Sequence, residues 1–146
     1  MKHLFIITVS LLCICICVSG CGNVPIGGRV TFSDNGEPLP TGTVCFVNGN
    51  QQGNGKIDAS GYYKLDFGNK RGIPKGEYKI YIEAFREEPE TTGEKTVNPA
   101  TGKEEAEMFI KRTSLIDAKY ENIETSGLSM TVDGKTKTLD IKVDRP

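Results

Sequence analysis

The sequence has no tryptophan and one histidine, and it lacks an apolar run long enough to cross a bilayer. The histidine, His3, lies in a leader that we expect to be removed, so the mature chain would contain none. Its loss excludes Ser-His and Cys-His nucleophiles and histidine-based metal sites. Gly-x-Ser-x-Gly and phosphate-binding glycine loops are also missing from the sequence. We therefore expect no enzymatic activity, no cofactor and no metal.

The first twenty residues have the features of a secretory signal peptide. Met1-Lys2-His3 is a basic start, and an apolar run from Leu4 to Val18 follows, broken only by Thr8 and Ser10. A bilayer span needs about 20 residues, whereas the apolar core of a signal peptide is shorter. We predict that residues 1–20 are cleaved; the alternative is an uncleaved N-terminal anchor helix.

The stretch Val18-Ser19-Gly20-Cys21 resembles the lipobox of bacterial lipoproteins, an aliphatic residue and two small residues before a cysteine. The resemblance implies diacylglycerol on the Cys21 sulfur, cleavage before Cys21 and an acylated N-terminus, which a palmitate label would report. Several acyl chains are needed because one alone anchors only marginally. In some bacteria an aspartate after the cysteine retains a lipoprotein at the inner membrane, so Gly22 favours the outer membrane of the cell envelope.

The five cysteines have different expected fates. Cys13, Cys15 and Cys17 would leave with the signal peptide, and Cys21 would carry lipid. Only Cys45 remains, so the mature chain cannot form an intramolecular disulfide. Cys45 lies in the β-type run 43–47 and is expected to be a small buried hydrophobic residue, with a reactive thiol as the alternative.

The charge balance of the mature chain excludes some partners. Cleavage removes one basic residue, Lys2, from 18 and none of the 19 acidic residues, which leaves 17 against 19 and a net charge of −2. This balance excludes a nucleic-acid partner and indicates no polybasic patch for anionic lipid. The pairs Glu87/Glu88 and Glu104/Glu105 are expected to be solvated surface rather than an acid/base pair.

Two acidic turns are candidate calcium sites. They are 34–37, which reads Asp-Asn-Gly-Glu, and Asp58 with Ser60. Neither has the ligand number or spacing of a calcium loop, so turn formation is the favoured interpretation.

Short alternating apolar runs separated by turn residues predict an all-β fold. Such runs occupy 28–32, 43–47, 62–67, 77–85 and 128–132. No run predicts a helix of four turns, so we expect an antiparallel β-sandwich of about seven strands, Ig-like or transthyretin-like. The run 77–85 is apolar on both faces, which indicates a central strand.

The last third of the chain has three predicted features. Residues 86–113 form a charged insertion, expected as a surface excursion in which 107–111 returns to the body as a short strand. A turn of helix capped by Ser114 is expected to follow. Asp133-Gly134 predicts a two-residue hairpin turn that places Leu128 opposite Leu139 and Ser126 opposite Ile141.

Three stretches resemble the carboxypeptidase regulatory-like domain, a transthyretin-like (prealbumin-like) sandwich. They are the strand 28–32 with the Gly-Glu-Pro-Leu turn at 36–39, the Asp-x-x-Gly-x-Tyr turn at 58–63, and the Pro-x-Gly-x-Tyr strand start at 74–78. The tail, Tyr120 with 125–128, resembles a subset found as small bacterial lipoproteins. The likeness covers about 26–85 and 114–144. The resemblance implies a transthyretin-like sandwich fold and an accessory or adhesion-type role outside the cytoplasm. It implies no catalytic residues in this sequence.

These observations give three segments and two functional hypotheses. The segments are the signal peptide (1–20), a tether (21–25) and a β-sandwich (26–146). The favoured function is a lipid-anchored, non-enzymatic binding or structural module, held to the membrane through Cys21, with an envelope protein or a glycan as partner. The alternative is a carbohydrate-binding module that stacks sugars on Tyr62 and Tyr81, both predicted to face away from the main apolar stripes of their strands.

Overall fold

A computed structural model describes residues 22–146. The predicted signal peptide and the candidate lipidation site Cys21 lie outside the described residues. The described part forms eleven strands and one short 3-10 helix, Ala118–Glu121. The strands are β1 (Gly27–Phe32), β2 (Gly42–Asn48), β3 (Gln51–Ile57), β4 (Tyr62–Lys64), β5 (Asp66–Phe67), β6 (Lys70–Arg71), β7 (Gly76–Glu83), β8 (Phe85–Val97), β9 (Glu104–Ser114), β10 (Leu128–Val132) and β11 (Ile141–Val143).

Two sheets form the sandwich, and a separate hairpin extends from it. The larger sheet has the order β10-β7-β2-β3-β5-β6, the smaller has the order β11-β1-β4, and β8 pairs with β9. The strand content confirms the predicted all-β sandwich. One pair departs from the antiparallel expectation, because β1 and β11 run parallel with Val30 beside Ile141.

The core fills the space between the two sheets. Alternate residues of β7, Tyr78, Ile80 and Ile82, are buried and join one apolar cluster with Val30 of β1 and Ile141 of β11. Alternation in a strand sends every second side chain to the same face, so each sheet contributes one face to this cluster. β7 has β10 on one side and β2 on the other, which confirms the prediction of a central strand.

The predicted hairpin at Asp133-Gly134 is wrong. β10 pairs with β7 in the larger sheet, placing Leu128 beside Ile80, whereas β11 pairs with β1 in the smaller sheet. The Asp133 carboxylate accepts the backbone N–H groups of Lys135 at 2.8 Å and Thr136 at 3.3 Å. This bend begins a crossover between the sheets, so Leu128 does not face Leu139 and Ser126 does not face Ile141.

The charged insertion is a long hairpin, and its expected return to the body is wrong. β8 and β9 pair from Phe85 beside Ser114 to Val97 beside Glu104, with a register shift between Thr91 and Lys95. Neither strand joins the two larger sheets. The segment is therefore a two-stranded projection from the end of β7.

The helical turn near Ser114 also differs from the prediction. The 3-10 helix begins after Asp117, whose carboxylate accepts the Lys119 backbone N–H at 2.9 Å, so Asp117 is the cap. Ser114 instead receives the backbone N–H of Ile116 at 3.2 Å in the turn before the helix.

Two glycines in the sequence motifs lie where the backbone requires glycine, one because of a close approach and one because of a positive φ. A Cβ at Gly28 would lie 1.9 Å from the Leu139 carbonyl oxygen, so only glycine allows the chain after β10 to pass this close to β1. Gly61 has φ +81°, which glycine adopts without strain, and a Cβ there would lie 2.6 Å from the Val30 carbonyl oxygen.

Candidate functional surfaces

The chain joins the sandwich at Val24, three residues after the candidate lipidation site. Val24 is buried and forms an isolated bridge with Ile73. Its N–H donates to the Ile73 carbonyl at 2.7 Å, and the Ile73 N–H donates back at 3.0 Å. Within the expected tether 21–25, only Gly22 and Asn23 therefore separate Cys21 from the body of the domain. No helix within residues 22–146 is long and apolar enough to cross a membrane.

Tyr62, one of the two candidate sugar-binding residues, is open to solvent. Its side chain is 54% exposed, and the Arg29 guanidinium carbon lies 5.2 Å from the ring centroid. Arg29 is held there because its Nε donates to the Ser60 carbonyl at 3.0 Å. Tyr62 also lines a shallow groove with Lys56, Asp58 and neighbouring polar residues. An exposed ring beside charged groups is a surface on which a sugar could stack.

Tyr81, the second candidate, is half-buried on the outer face of the larger sheet. It lies beside Cys45 in the β2–β7 register, and the Gln52 amide donates to its hydroxyl at 3.4 Å. Burial, followed by its contact with the Cys45 thiol, raises the pKa of Tyr81 to about 12. Tyr62 belongs to the smaller sheet, so the two rings lie on the outer faces of different sheets. The structure does not bring them into one site.

Cys45 is buried, as the β-type run predicts, but it lies outside the main core. Its neighbour Val44 faces the core cluster, whereas Cys45 is covered on the opposite face of β2, beside Tyr81. Burial raises the pKa of the Cys45 thiol. A nucleophilic cysteine needs a lowered pKa and access to solvent, so this environment does not favour reactivity.

Three of the acidic candidates for catalysis or calcium binding, Glu87, Asp34 and Asp58, have structural partners. Glu87 accepts from Arg112 at 2.8 Å on the exposed hairpin, and Asp34 accepts from Arg145 at 3.0 Å. The Asp58 carboxylate accepts the backbone N–H groups of Ser60 and Tyr62, which closes the turn before β4. Among residues 22–146, no group of three His, Cys, Asp or Glu side chains is placed to hold a metal ion.

The hairpin exposes apolar side chains that the sequence analysis did not treat as a site. Met108 is 65% exposed, Phe109 44% and Ile110 66%. Met108 and Ile110 share one face, and Pro89 lies opposite Ile110 on that face. A two-stranded ribbon with no third strand and no covered face is only marginally stable alone in water. In the sequence, the signal for this exposed apolar surface is the run of three apolar residues at 108–110 within a charged insertion.

The two edges of the hairpin differ in their capacity to pair. The Ala84 carbonyl accepts from the Leu115 N–H at 2.9 Å, and backbone groups alternate direction along an antiparallel ladder. Pro89 therefore lies at a position that faces away from β9, where its missing N–H blunts the β8 edge. On β9 the same alternation directs the backbone groups of Met108 and Ile110 outward. The β9 edge thus offers unpaired donors and acceptors within the described part of the chain.

A network at the carboxyl end fixes the 3-10 helix to the sandwich. The Asp144 carboxylate accepts from Lys119, Ser33 and the Tyr120 hydroxyl, the last at 3.0 Å. These hydrogen bonds, that of Lys119 first, hold the pKa of Asp144 down at about 2. The network has a structural role, because it joins the 3-10 helix to Ser33 at the end of β1 and to the carboxyl end of the chain.

Comparison with known proteins gives no family assignment. No protein-family model matches the chain, and no curated protein sequence matches it. Among solved structures, the major pilin subunit of Bacillus cereus aligns with a TM-score of 0.40 and 12% identity over 85% of this chain and 30% of the pilin. A 9R-lipoxygenase from Cyanothece PCC8801 aligns with a TM-score of 0.32 and 14% identity over 82% of this chain and 16% of the lipoxygenase. The chain spans less than a third of the length of either protein.

Proposed function

We propose that the protein is a lipid-anchored, extracytoplasmic binding module of the bacterial cell envelope, attached through Cys21 and without enzymatic activity. The lipobox-like stretch at 18–21 supports the anchor, and the motifs that resemble the carboxypeptidase regulatory-like domain support an accessory role. The absence of histidine from residues 22–146 and the buried thiol of Cys45 support a non-catalytic function.

The observation that carries this proposal is the position of the hairpin relative to the anchor. Ile73, which is bridged to Val24, lies three residues before β7 begins at Gly76. The hairpin starts two residues after β7 ends at Glu83. The eight residues of β7 span about 27 Å at 3.4 Å per residue. Val24, where the chain joins the sandwich, therefore lies near one end of the central strand, and the hairpin leaves from the other.

This arrangement presents the hairpin away from the membrane, where it can meet a partner. The β9 edge suits an extended segment of another envelope protein, because an added strand would pair with the outward backbone groups of Met108 and Ile110. The side chains of the same residues would gain a third strand to pack against. The partner class is thus a protein segment that binds by strand addition.

The anchor is tested by metabolic labelling of the full chain with a palmitate analogue. We expect label on the parent chain and on the Cys45→Ser control, and none on Cys21→Ser. Cys45→Ser is the matched control because it removes the other cysteine of the predicted mature chain. Labelling that persists in Cys21→Ser would overturn the anchor.

Exposure of Tyr62 favours glycan binding as a second candidate function. Its open ring beside Arg29 and Asp58 is the only sequence-predicted sugar contact that the described structure leaves largely exposed. On a glycan array, Tyr62→Ala should abolish any binding, whereas Tyr81→Ala should not, because Tyr81 lies on the other sheet. An array without signal for the parent chain would eliminate this candidate.

A further inference from the structure

We propose that a ring of basic side chains around the anchored end binds the headgroups of anionic phospholipids. The ring has six members from separate parts of the sequence, Lys64, Lys70, Arg71, Lys75, Lys135 and Lys137. The inference rests on the proposed lipid anchor, because that anchor places this end of the sandwich at the membrane.

Two hollows show that four of these residues surround the start of the described chain. Lys64, Arg71 and Lys137 line a groove of about 540 Å³ together with Pro25. Lys70 lines a neighbouring hollow with Asn23. Positive side chains therefore lie on two sides of residues 23–25, immediately after the candidate lipidation site.

Lys75 and Lys135 complete the ring around Gly134. A Cβ at Gly134 would lie 3.2 Å from the Lys75 Cε and 3.9 Å from a methyl carbon of Val24. Lys135 follows Gly134 directly in the chain. These two lysines thus lie close to Val24, where the chain joins the sandwich.

The basic residues of the ring lie outside the ion pairs that hold many other basic residues on the surface. All six are exposed, and within residues 22–146 none forms an ion pair. Elsewhere Lys79 pairs with Glu124 at 3.2 Å and Lys111 with Glu90 at 3.3 Å. Charges outside ion pairs remain available to attract an external anion.

The ring is a local positive region on a chain of negative net charge. Two acidic residues lie within it, Asp66 in the groove and Asp133 beside Gly134. Six basic residues minus these two leave a local charge of +4, against −2 for the chain from Cys21 onward. Such a distribution orients the domain toward a negative surface, although the net charge does not.

The length of the tether holds the ring within range of the headgroups. Three residue steps from Cys21 to Val24 span about 10 Å when fully extended. This distance is close to the Debye length of about 8 Å at physiological ionic strength. The lipid chains and the ring would then act as two signals that reinforce each other, and the ring would direct the hairpin away from the bilayer.

The test uses the chain from residue 21 with Cys21→Ser, so that no lipid contributes to binding. This chain keeps every residue of the core cluster, which runs from Val24 to Val143, and its fold is checked by circular dichroism before binding is measured. Its binding is measured by co-sedimentation with phosphatidylcholine vesicles, with and without phosphatidylglycerol, at low and high salt. We expect binding only with phosphatidylglycerol and release as the salt concentration rises.

Two triple variants with the same net charge locate the binding surface. The ring variant carries Lys75→Gln, Lys135→Gln and Lys137→Gln. The control variant carries Lys103→Gln, Lys111→Gln and Lys142→Gln, three lysines outside the ring. Since each basic residue near an anionic surface contributes roughly fivefold in affinity, the ring variant should bind about 100-fold more weakly. The control should retain most of the parent's affinity.

Three results would overturn the inference. They are equal loss in both variants, which would indicate net charge alone, equal binding to phosphatidylcholine, and no binding by the parent chain. None depends on lipidation, so failure of the ring and failure of the anchor at Cys21 are distinguishable.

Discussion

Pro89 lies directly opposite Ile110 across the β8–β9 ladder, at a position where the backbone of both residues faces outward. A proline there costs the hairpin no internal hydrogen bond, and it blunts only the β8 edge. The same alternation leaves the Ile110 N–H free for an added strand.

This geometry predicts different outcomes for proline at two adjacent positions of β9. Ile110→Pro should leave the hairpin paired, because the Ile110 N–H is not used within it. Phe109→Pro should disrupt the ladder, because the Phe109 N–H faces β8. Amide hydrogen exchange by NMR provides the measurement. We expect the Lys111 amide to stay protected in Ile110→Pro and to lose protection in Phe109→Pro; equal behaviour of the two variants would contradict this register.

The close approach at Gly28 predicts a large loss of stability for Gly28→Ala. The added Cβ would meet the Leu139 carbonyl oxygen at 1.9 Å, and that contact involves backbone on both sides. We expect the free energy of unfolding to fall by about 2–4 kcal/mol, measured by urea denaturation. Gly22→Ala is the matched control, because nothing lies within 4 Å of the added carbon there. A loss of similar size in both variants would refute the steric explanation.

The Asp144 network predicts a specific sensitivity to acid. The pKa of Asp144 in the folded chain is about 2, below the value of about 3.9 for an unfolded aspartate. Since the folded value is the lower one, the stabilising contribution is complete above about pH 4 and is lost as the pH falls to about 2. Asp144→Asn should therefore be less stable than the parent at neutral pH and approach it near pH 2. NMR titration should place the Asp144 midpoint well below 4 in the parent; a midpoint at 4 would contradict this.

Because Cys45 is buried, we predict that its thiol reacts slowly with maleimide in the folded chain. Burial both restricts access and raises the pKa of the thiol, so the reactive thiolate is scarce. Tyr81→Ala should accelerate labelling, because it removes the neighbouring ring on the same sheet face. Tyr62→Ala, on the other sheet, should leave the rate unchanged. Fast labelling of the parent would show that the thiol is accessible.

The glycine at position 22 predicts the membrane to which the lipid anchor proposed at Cys21 would attach the protein. We expect the parent chain, with Gly22, to fractionate with the outer membrane on a sucrose gradient. Gly22→Asp should move it toward the inner membrane in a host that uses the aspartate signal. Parent protein found in the inner membrane would contradict the assignment.

The alternation of apolar and polar residues along each strand predicts which residues face the core, but it does not predict which strands pair. Val132 and Ile141 are both buried, as their apolar pattern indicates. That pattern is equally satisfied whether their strands form a hairpin or lie in opposite sheets. The Asp-Gly pair favoured the hairpin, and the hydrogen bonds from the Asp133 carboxylate produced a crossover bend instead.

The same limit applies to the candidate surfaces. Because side chains alternate between the two faces of a strand, the sequence predicts that Tyr62 and Tyr81 lie outside the core. Nothing in the sequence assigns them to different sheets. The net charge does not indicate a basic patch. Lys64, Lys75 and Lys137 are far apart in sequence, and the fold brings them near residues 24–25 from β4, the loop before β7 and the crossover between β10 and β11. The sequence predicts that 107–111 returns to the body as a strand, because an apolar strand ordinarily packs in a sheet; the structure pairs this strand with β8 in the separate hairpin.

The position of β7 has a mechanical consequence. Under the proposed function, tension between the lipid anchor and a partner on the hairpin would act along this strand, from Gly76 to Glu83. β7 is hydrogen-bonded to β2 and β10 on its two sides, and those bonds lie across the direction of the load. They are loaded together in shear rather than opened one after another. In the proposed arrangement, the domain would therefore transmit force between the membrane and the partner that binds the hairpin.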